Sequence, residues 1–200
     1  MEPFIQLTSS LLPLPYQDVD TDQIIPASYL KAITKDGLAE GLFAIWSHRP
    51  DGGLRPDFPL NQTKFQGAQI LLVGDNFGCG SSREHAAWAL LGRGFRAVIS
   101  TSFADIFHNN ALKNGLLPVT LDKGTVHELF RMVEQDPAIC VTIQLAEQSL
   151  LLPDGRRVNF PIDAFSKSRI LQGLDQLGYL LQHEGTIAAF ERDLEVRNAE

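Results

Sequence analysis

The sequence predicts an α/β protein, with strands covered by helices. Three observations lead there: short apolar runs rich in branched residues, helical patterns lying between them, and glycines or prolines where one gives way to the other. The chain has 200 residues, 44% of them hydrophobic and 20% charged, a composition that suits one buried core. No Ser/Gly-rich linker or charge block divides it, so residues 1–200 are expected to form a single domain.

Taken in order, the first distinctive segment is "RPDGGLRPDFPLN" at 49–61, a long Pro/Gly-rich loop and a candidate cover or docking surface. "QILLVG" (69–74) and "RAVIS" (96–100) read as buried strands. Between them "SSREHAAWALLGRG" (81–94) reads as a helix, with Gly92 and Gly94 placed to stop it. "SFADIFHNNALKNG" (102–115) is a second helix ending at Gly115, and "LLPVTL" (116–121) is a strand whose proline points to an edge or an end. "TVHELFRMVEQD" (125–136) is a third helix, stopped before Pro137. "AICVTIQL" leads into "SLLLPDGRRVNFPI", a hairpin turning at Pro153, Asp154 and Gly155. "DAFSKSRILQG" and "TIAAFERDLEV" close the chain as helices, leaving 195–200 as a tail expected to fray.

Charge and composition exclude several functions. Seventeen basic against twenty-four acidic side chains give a net charge of −7, which repels a phosphate backbone, so nucleic acid is not expected as a partner. No apolar run approaches the roughly 20 residues that span a bilayer, and the N-terminus lacks the pattern of a signal peptide; a cytoplasmic protein is expected. The two cysteines, Cys79 and Cys140, are too few to hold an iron–sulfur cluster, and a disulfide between them is not expected. His48, His108, His127 and His183 show no metal-binding spacing, so no metal site is predicted on this chain.

The stretch "GDNFGCGSSREH" (74–85) carries the chemistry. A glycine-rich turn running from a strand into a helix presents backbone N–H groups to an anion. Neither nucleotide motif fits: Walker A needs a lysine where Ser81 stands, and the dinucleotide fingerprint needs a glycine where Arg83 stands. Ser81 and Glu84 have the S-x-x-E spacing of a capping box, a purely structural role. The same donors would also stabilise a serine alkoxide acting as a base, with Arg83 adding positive charge. Arg83 in a first helical turn opposes the helix dipole and therefore favours an anionic ligand, which its guanidinium fork would grip as a carboxylate. His85 reads as a packing residue and Cys79 as a small pocket-lining one. Upstream, Asp18, Asp20 and Asp22 alternate like half of a calcium loop, but Gln23 and Tyr29 occupy the places of the required glycine and glutamate. Asp22, next to "IIP", is the one expected to reach a site and orient an arginine or a proton donor.

"GDNFGCGSSREHAAWAL", together with "DTDQIIPASYL", "SFADIFHNNALKNGLLPV" and "GLDQLGYLLQHEGTIAAFE" in the same order, resembles the aconitase family's swivel domain, in the form found in small subunits of isopropylmalate dehydratases. The resemblance covers nearly the whole chain. It implies a swivelling β/β/α three-layer domain that docks, as a heterodimer, on a large subunit carrying a 4Fe-4S cluster. It also implies that Ser81 is the catalytic base, that Arg83 and Ser82 bind a substrate carboxylate, and that Asp22, the aspartate of the N-terminal motif, is a substrate-binding residue with them. The implied reaction is a hydro-lyase isomerisation of 2-isopropylmalate to 3-isopropylmalate in leucine biosynthesis. Homoaconitate or a methylated malate are alternative substrates, and a non-catalytic anion-binding module is the alternative from another class. Where aconitases place a carboxylate-binding arginine, this chain has Tyr29, Leu30 and Lys31, a segment suited to an apolar substituent.

Overall fold

The computed structural model describes residues 1–31 and 37–198. In chain order they form β1 (Gln6–Leu14), α1 (Thr21–Ile24), α2 (Ala44–Ser47), β2 (Ile70–Val73), α3 (Glu84–Gly92), β3 (Ala97–Ser100), α4 (Asp105–Asn114), β4 (Leu117–Thr120), α5 (Lys123–Gln135), β5 (Cys140–Gln144), β6 (Ser149–Leu151), β7 (Arg157–Asn159), α6 (Ala164–Gln172), α7 (Gln176–Gln182) and α8 (Glu184–Asn198). The strands make one seven-stranded sheet in the order β4-β3-β2-β1-β5-β6-β7. β2, β3 and β4, each followed or preceded by a covering helix, pair in parallel, and their inner strands β2 and β3 are buried at every residue.

β1 joins two kinds of sheet. Its first half, Gln6–Ser10, runs antiparallel to β5, and its second half, Leu11–Leu14, runs parallel to β2. The division explains why sequence pattern did not announce β1 as a strand. Polar Thr8, Ser9 and Ser10 interrupt the apolar run, and Pro13 argues against a central strand. At Pro13, however, β1 has only β2 beside it, because pairing with β5 ends at Ser10. The missing N–H therefore faces no second neighbour. Pro118 is accommodated in the same way, in the edge strand β4.

The other expected strands and helices form close to their expected bounds, and Gly115 and Gly173 end α4 and α6 in the left-handed conformation. One expectation needs correction: α3 begins at Glu84 rather than at Ser81. α8 carries helical backbone to Asn198, and residues 199–200 of the expected tail lie outside the described residues. The 49–61 loop folds back on itself: the Asn61 side-chain amide donates to the carbonyls of Ser47 and Arg55, both at 2.8 Å, and Phe58 is buried. Buried apolar side chains from both halves of the sheet and its helices form one continuous core.

Candidate active site

The loop from Gly74 to Arg83 leaves the carboxyl end of β2, beside the carboxyl ends of β1 and β3, the side of a parallel sheet where α/β proteins place their ligands. It is fastened on both flanks. On the β3 side, Asn76 N–H donates to the Ser102 hydroxyl and Phe77 N–H to the Ser102 carbonyl. On the β1 side, Gly78 and Cys79 both donate their N–H to the Val19 carbonyl, at 2.8 and 3.2 Å. Those two donors are spent inside the protein, so the cradle of amide hydrogens is shorter than a glycine-rich loop suggests. Gly78 has φ +79°, and a Cβ there would lie 2.2 Å from the buried Phe107 ring. Gly80, at φ +87°, turns the chain out toward Ser81.

The three aspartates upstream have three different partners. Asp18, itself in the left-handed region, accepts from the Asn76 side-chain amide at 2.8 Å. Asp20 caps α1: its carboxylate accepts from Gln23 N–H, and the Gln23 side chain accepts from Asp20 N–H, both at 2.8 Å. That reciprocal pair is a capping box, written in the sequence as D-T-D-Q and overlooked there in favour of the calcium-loop comparison. Asp22 reaches across to the serine loop and accepts a hydrogen bond from Arg83 Nη1. The Arg83 side chain is 14% exposed and that of Asp22 50%, so the pair lies at the rim of the protein with the arginine largely covered.

Ser81 and Ser82 are both exposed, next to this pair. The capping box proposed for Ser81 and Glu84 does not form. The N-cap of α3 is Arg83, in extended conformation and without a side-chain cap, and Ser81 stands two residues ahead of it. Glu84 has stronger partners elsewhere: its carboxylate accepts from the Asn114 amide at 2.8 Å and pairs with Lys113, tying α3 to α4. Trp88 Nε1 donates to the same Asn114 at 2.8 Å. A tertiary contact between two helices thus replaces the local cap, and Ser81 is left on a loop.

His85 lies with its ring 4.8 Å from that of Trp88, the arrangement of a packing residue. Cys79 is held by desolvation and by the charges of Asp20 and Asp18 above the ordinary thiol range, and its Sγ contacts the Asp18 carbonyl at 3.3 Å. A raised pKa favours the thiol over the thiolate at neutral pH, the wrong state for a nucleophile. Iodoacetamide at neutral pH is therefore expected to mark the exposed Cys140 ahead of Cys79, with Cys79 labelling rising only in alkaline solution. Peptide mass spectrometry across a pH series reads both rates, and rapid neutral labelling at Cys79 would contradict its protonated state.

Tyr29 belongs to a 3-10 turn, Ala27–Lys31, and its ring packs over Gly41, where a Cβ would come within 2.7 Å. Leu30 lies in the same turn. Its side chain and residues 32–36, including the rest of "PASYLKAI", lie outside the described residues.

A serine loop and an Asp–Arg pair at the carboxyl ends of a curled mixed sheet, with helices covering it, define an aconitase-type swivel domain. Residues 1–124 match the family described as the aconitase C-terminal domain. Over 191 residues the chain is 59% identical to the 3-isopropylmalate dehydratase small subunit of Chloroflexus aggregans and 58% identical to that of Roseiflexus sp., covering 96% of this chain and 94% of each relative. A crystal structure of 3-isopropylmalate dehydratase from Methanocaldococcus jannaschii superimposes with a TM-score of 0.65 at 26% identity, covering 92% of this chain and 99% of the other. The chain belongs to the family of 3-isopropylmalate dehydratase small subunits. Its donor set does not fit an iron–sulfur cluster: the sequence has two cysteines, and among the described residues no three His, Cys, Asp or Glu side chains gather as a metal site. Nor is any helix among the described residues long and apolar enough to cross a membrane.

Proposed function

We propose that this chain, acting as one swivel domain, completes the active site of a cytoplasmic hydro-lyase. The enzyme interconverts 2-isopropylmalate and 3-isopropylmalate by loss and return of water, a step of leucine biosynthesis. Its partner is a large subunit that holds the 4Fe-4S cluster of the family.

The observation that carries this reading is the Asp22–Arg83 pair set beside two exposed serines. A guanidinium has five N–H donors, and Asp22 engages Nη1, holding the fork at a set angle with donors left for a substrate carboxylate. Ser82 donates to the same carboxylate, and Ser81 takes the proton from carbon. A free hydroxyl ionises far above neutral pH, so this base needs nearby positive charge and exclusion of water. Arg83 supplies the first. The second is lacking while Ser81 stands in solvent, which is why the chain needs a partner surface over it. Tyr29 and Leu30 are assigned the specificity for the apolar substituent in this reading, and a substrate with an extra carboxylate would leave that group unpaired.

Mixing the chain with a cluster-bearing large subunit under anaerobic conditions tests the proposal. Isopropylmalate isomerisation is expected from the mixture and from neither chain alone. Faster turnover of homoaconitate or a methylated malate would move the assignment to that substrate. A complex that forms and binds dicarboxylate without turning it over would reduce the chain to an anion-binding module.

A further inference from the structure

Thr21 is buried, at 2% exposure, between two aspartates whose partners have been described, and neither its hydroxyl nor its amide serves the core. Both point at the serine loop. The backbone N–H of Thr21 donates to the Cys79 carbonyl at 2.9 Å, and its Oγ1 donates to the Ser81 carbonyl at 3.0 Å. With the Asp20–Cys79 bridge before them and the Asp22–Arg83 pair after them, these bonds bind residues 20, 21 and 22 to loop residues 79, 81 and 83. The loop is thus held at every second residue by a segment that α1, capped by its own aspartate, keeps rigid.

The exposed Ser81 has no neighbouring turn of helix to fix it, because α3 begins three residues later. Between the fastenings at Cys79 and Arg83, its own carbonyl is held by the Thr21 hydroxyl. We infer that Thr21 is a positioning residue for the serine base, holding the Ser81 backbone so that the hydroxyl meets the substrate carbon, while Asp22 independently holds the carboxylate-binding Arg83. The inference rests on the role proposed for Ser81. It separates two functions on adjacent residues, Thr21 serving the proton transfer and Asp22 the binding. A displacement of about an ångström at a reacting atom is enough to cost a large rate factor, whereas the carboxylate clamp would not feel it.

The test compares Thr21→Val, which keeps the shape and removes the hydroxyl, with Thr21→Ser, which keeps the donor. In the assembled two-subunit enzyme, Thr21→Val is expected to lower kcat at least about tenfold with KM changed less than about threefold, a split that marks loss of transition-state interaction alone. Thr21→Ser is expected to recover most of kcat. Independently of activity, hydrogen exchange in peptides covering 79–83 should quicken in Thr21→Val and stay near the parent rate in Thr21→Ser, at comparable Tm. Unchanged kcat in Thr21→Val, an equal loss in both variants, or a fall in Tm with kcat and KM moving together would each overturn the inference. Ser81→Ala in the same assay keeps the two ideas apart: full turnover there defeats the base assignment itself, whereas an inactive Ser81→Ala beside a fully active Thr21→Val defeats only the positioning role.

Discussion

Ser81→Ala is expected to abolish turnover in the assembled enzyme while substrate still binds. The protein's hold on Ser81 runs through its backbone carbonyl, which accepts from Thr21, and the side chain is exposed. Removing one oxygen therefore leaves the loop in place and Arg83 still paired with Asp22. What disappears is the hydroxyl to which the proposed function gives the proton transfer. A positioned base contributes about a hundredfold to ten-thousandfold, so kcat should fall by that order with KM nearly constant. Steady-state kinetics of the reconstituted mixture, together with a direct binding measurement on the same sample, reads both halves of the expectation. Turnover at the parent rate would remove the serine from the chemistry.

Arg83→Lys should do the opposite, weakening binding more than it slows the bound complex. A lysine keeps the charge but loses the planar fork, and an ammonium cannot hold the Asp22 carboxylate and a substrate carboxylate in the geometry the guanidinium provides. Losing a charge-assisted hydrogen bond costs about 1.5–3 kcal/mol, which corresponds to KM rising by roughly ten- to a hundredfold. The largely covered position of Arg83 adds to the loss, because its stem packs where a shorter, more strongly hydrated group fits less well. Titration of dicarboxylate onto the complex checks this, and parent-like affinity would show that the fork is not what holds the substrate.

The sheet of the parallel half was legible because fully buried strands such as "ILLV" and "AVIS" are apolar at every position and helices between them carry their own stop residues. β1 was not, since half of it pairs with one kind of neighbour and half with another, and neither half shows a full period by itself. At the site, the residue types were visible: a serine loop, an arginine within it, and an aspartate upstream, Asp22, that does pair with that arginine. The helix boundary was misplaced. Local spacing put a cap at Ser81, but Glu84 found Asn114 and Lys113 across the gap between two helices, and no window of sequence contains a partner thirty residues away. The three aspartates illustrate the same limit. Their alternation is plain, yet one binds an asparagine, one caps a helix and one holds an arginine, according to what the fold brings opposite each.

The sequence by itself determined the chemical groups and the family to which they belong, because side-chain identity, glycine placement and order along the chain are local properties. Only the tertiary structure decided which of those groups meet. Residues 20–22 and 79–83 lie far apart in the chain, and the parallel pairing of β1 with β2 carries the two segments side by side, where hydrogen bonds too short-ranged to be read from spacing bind them together.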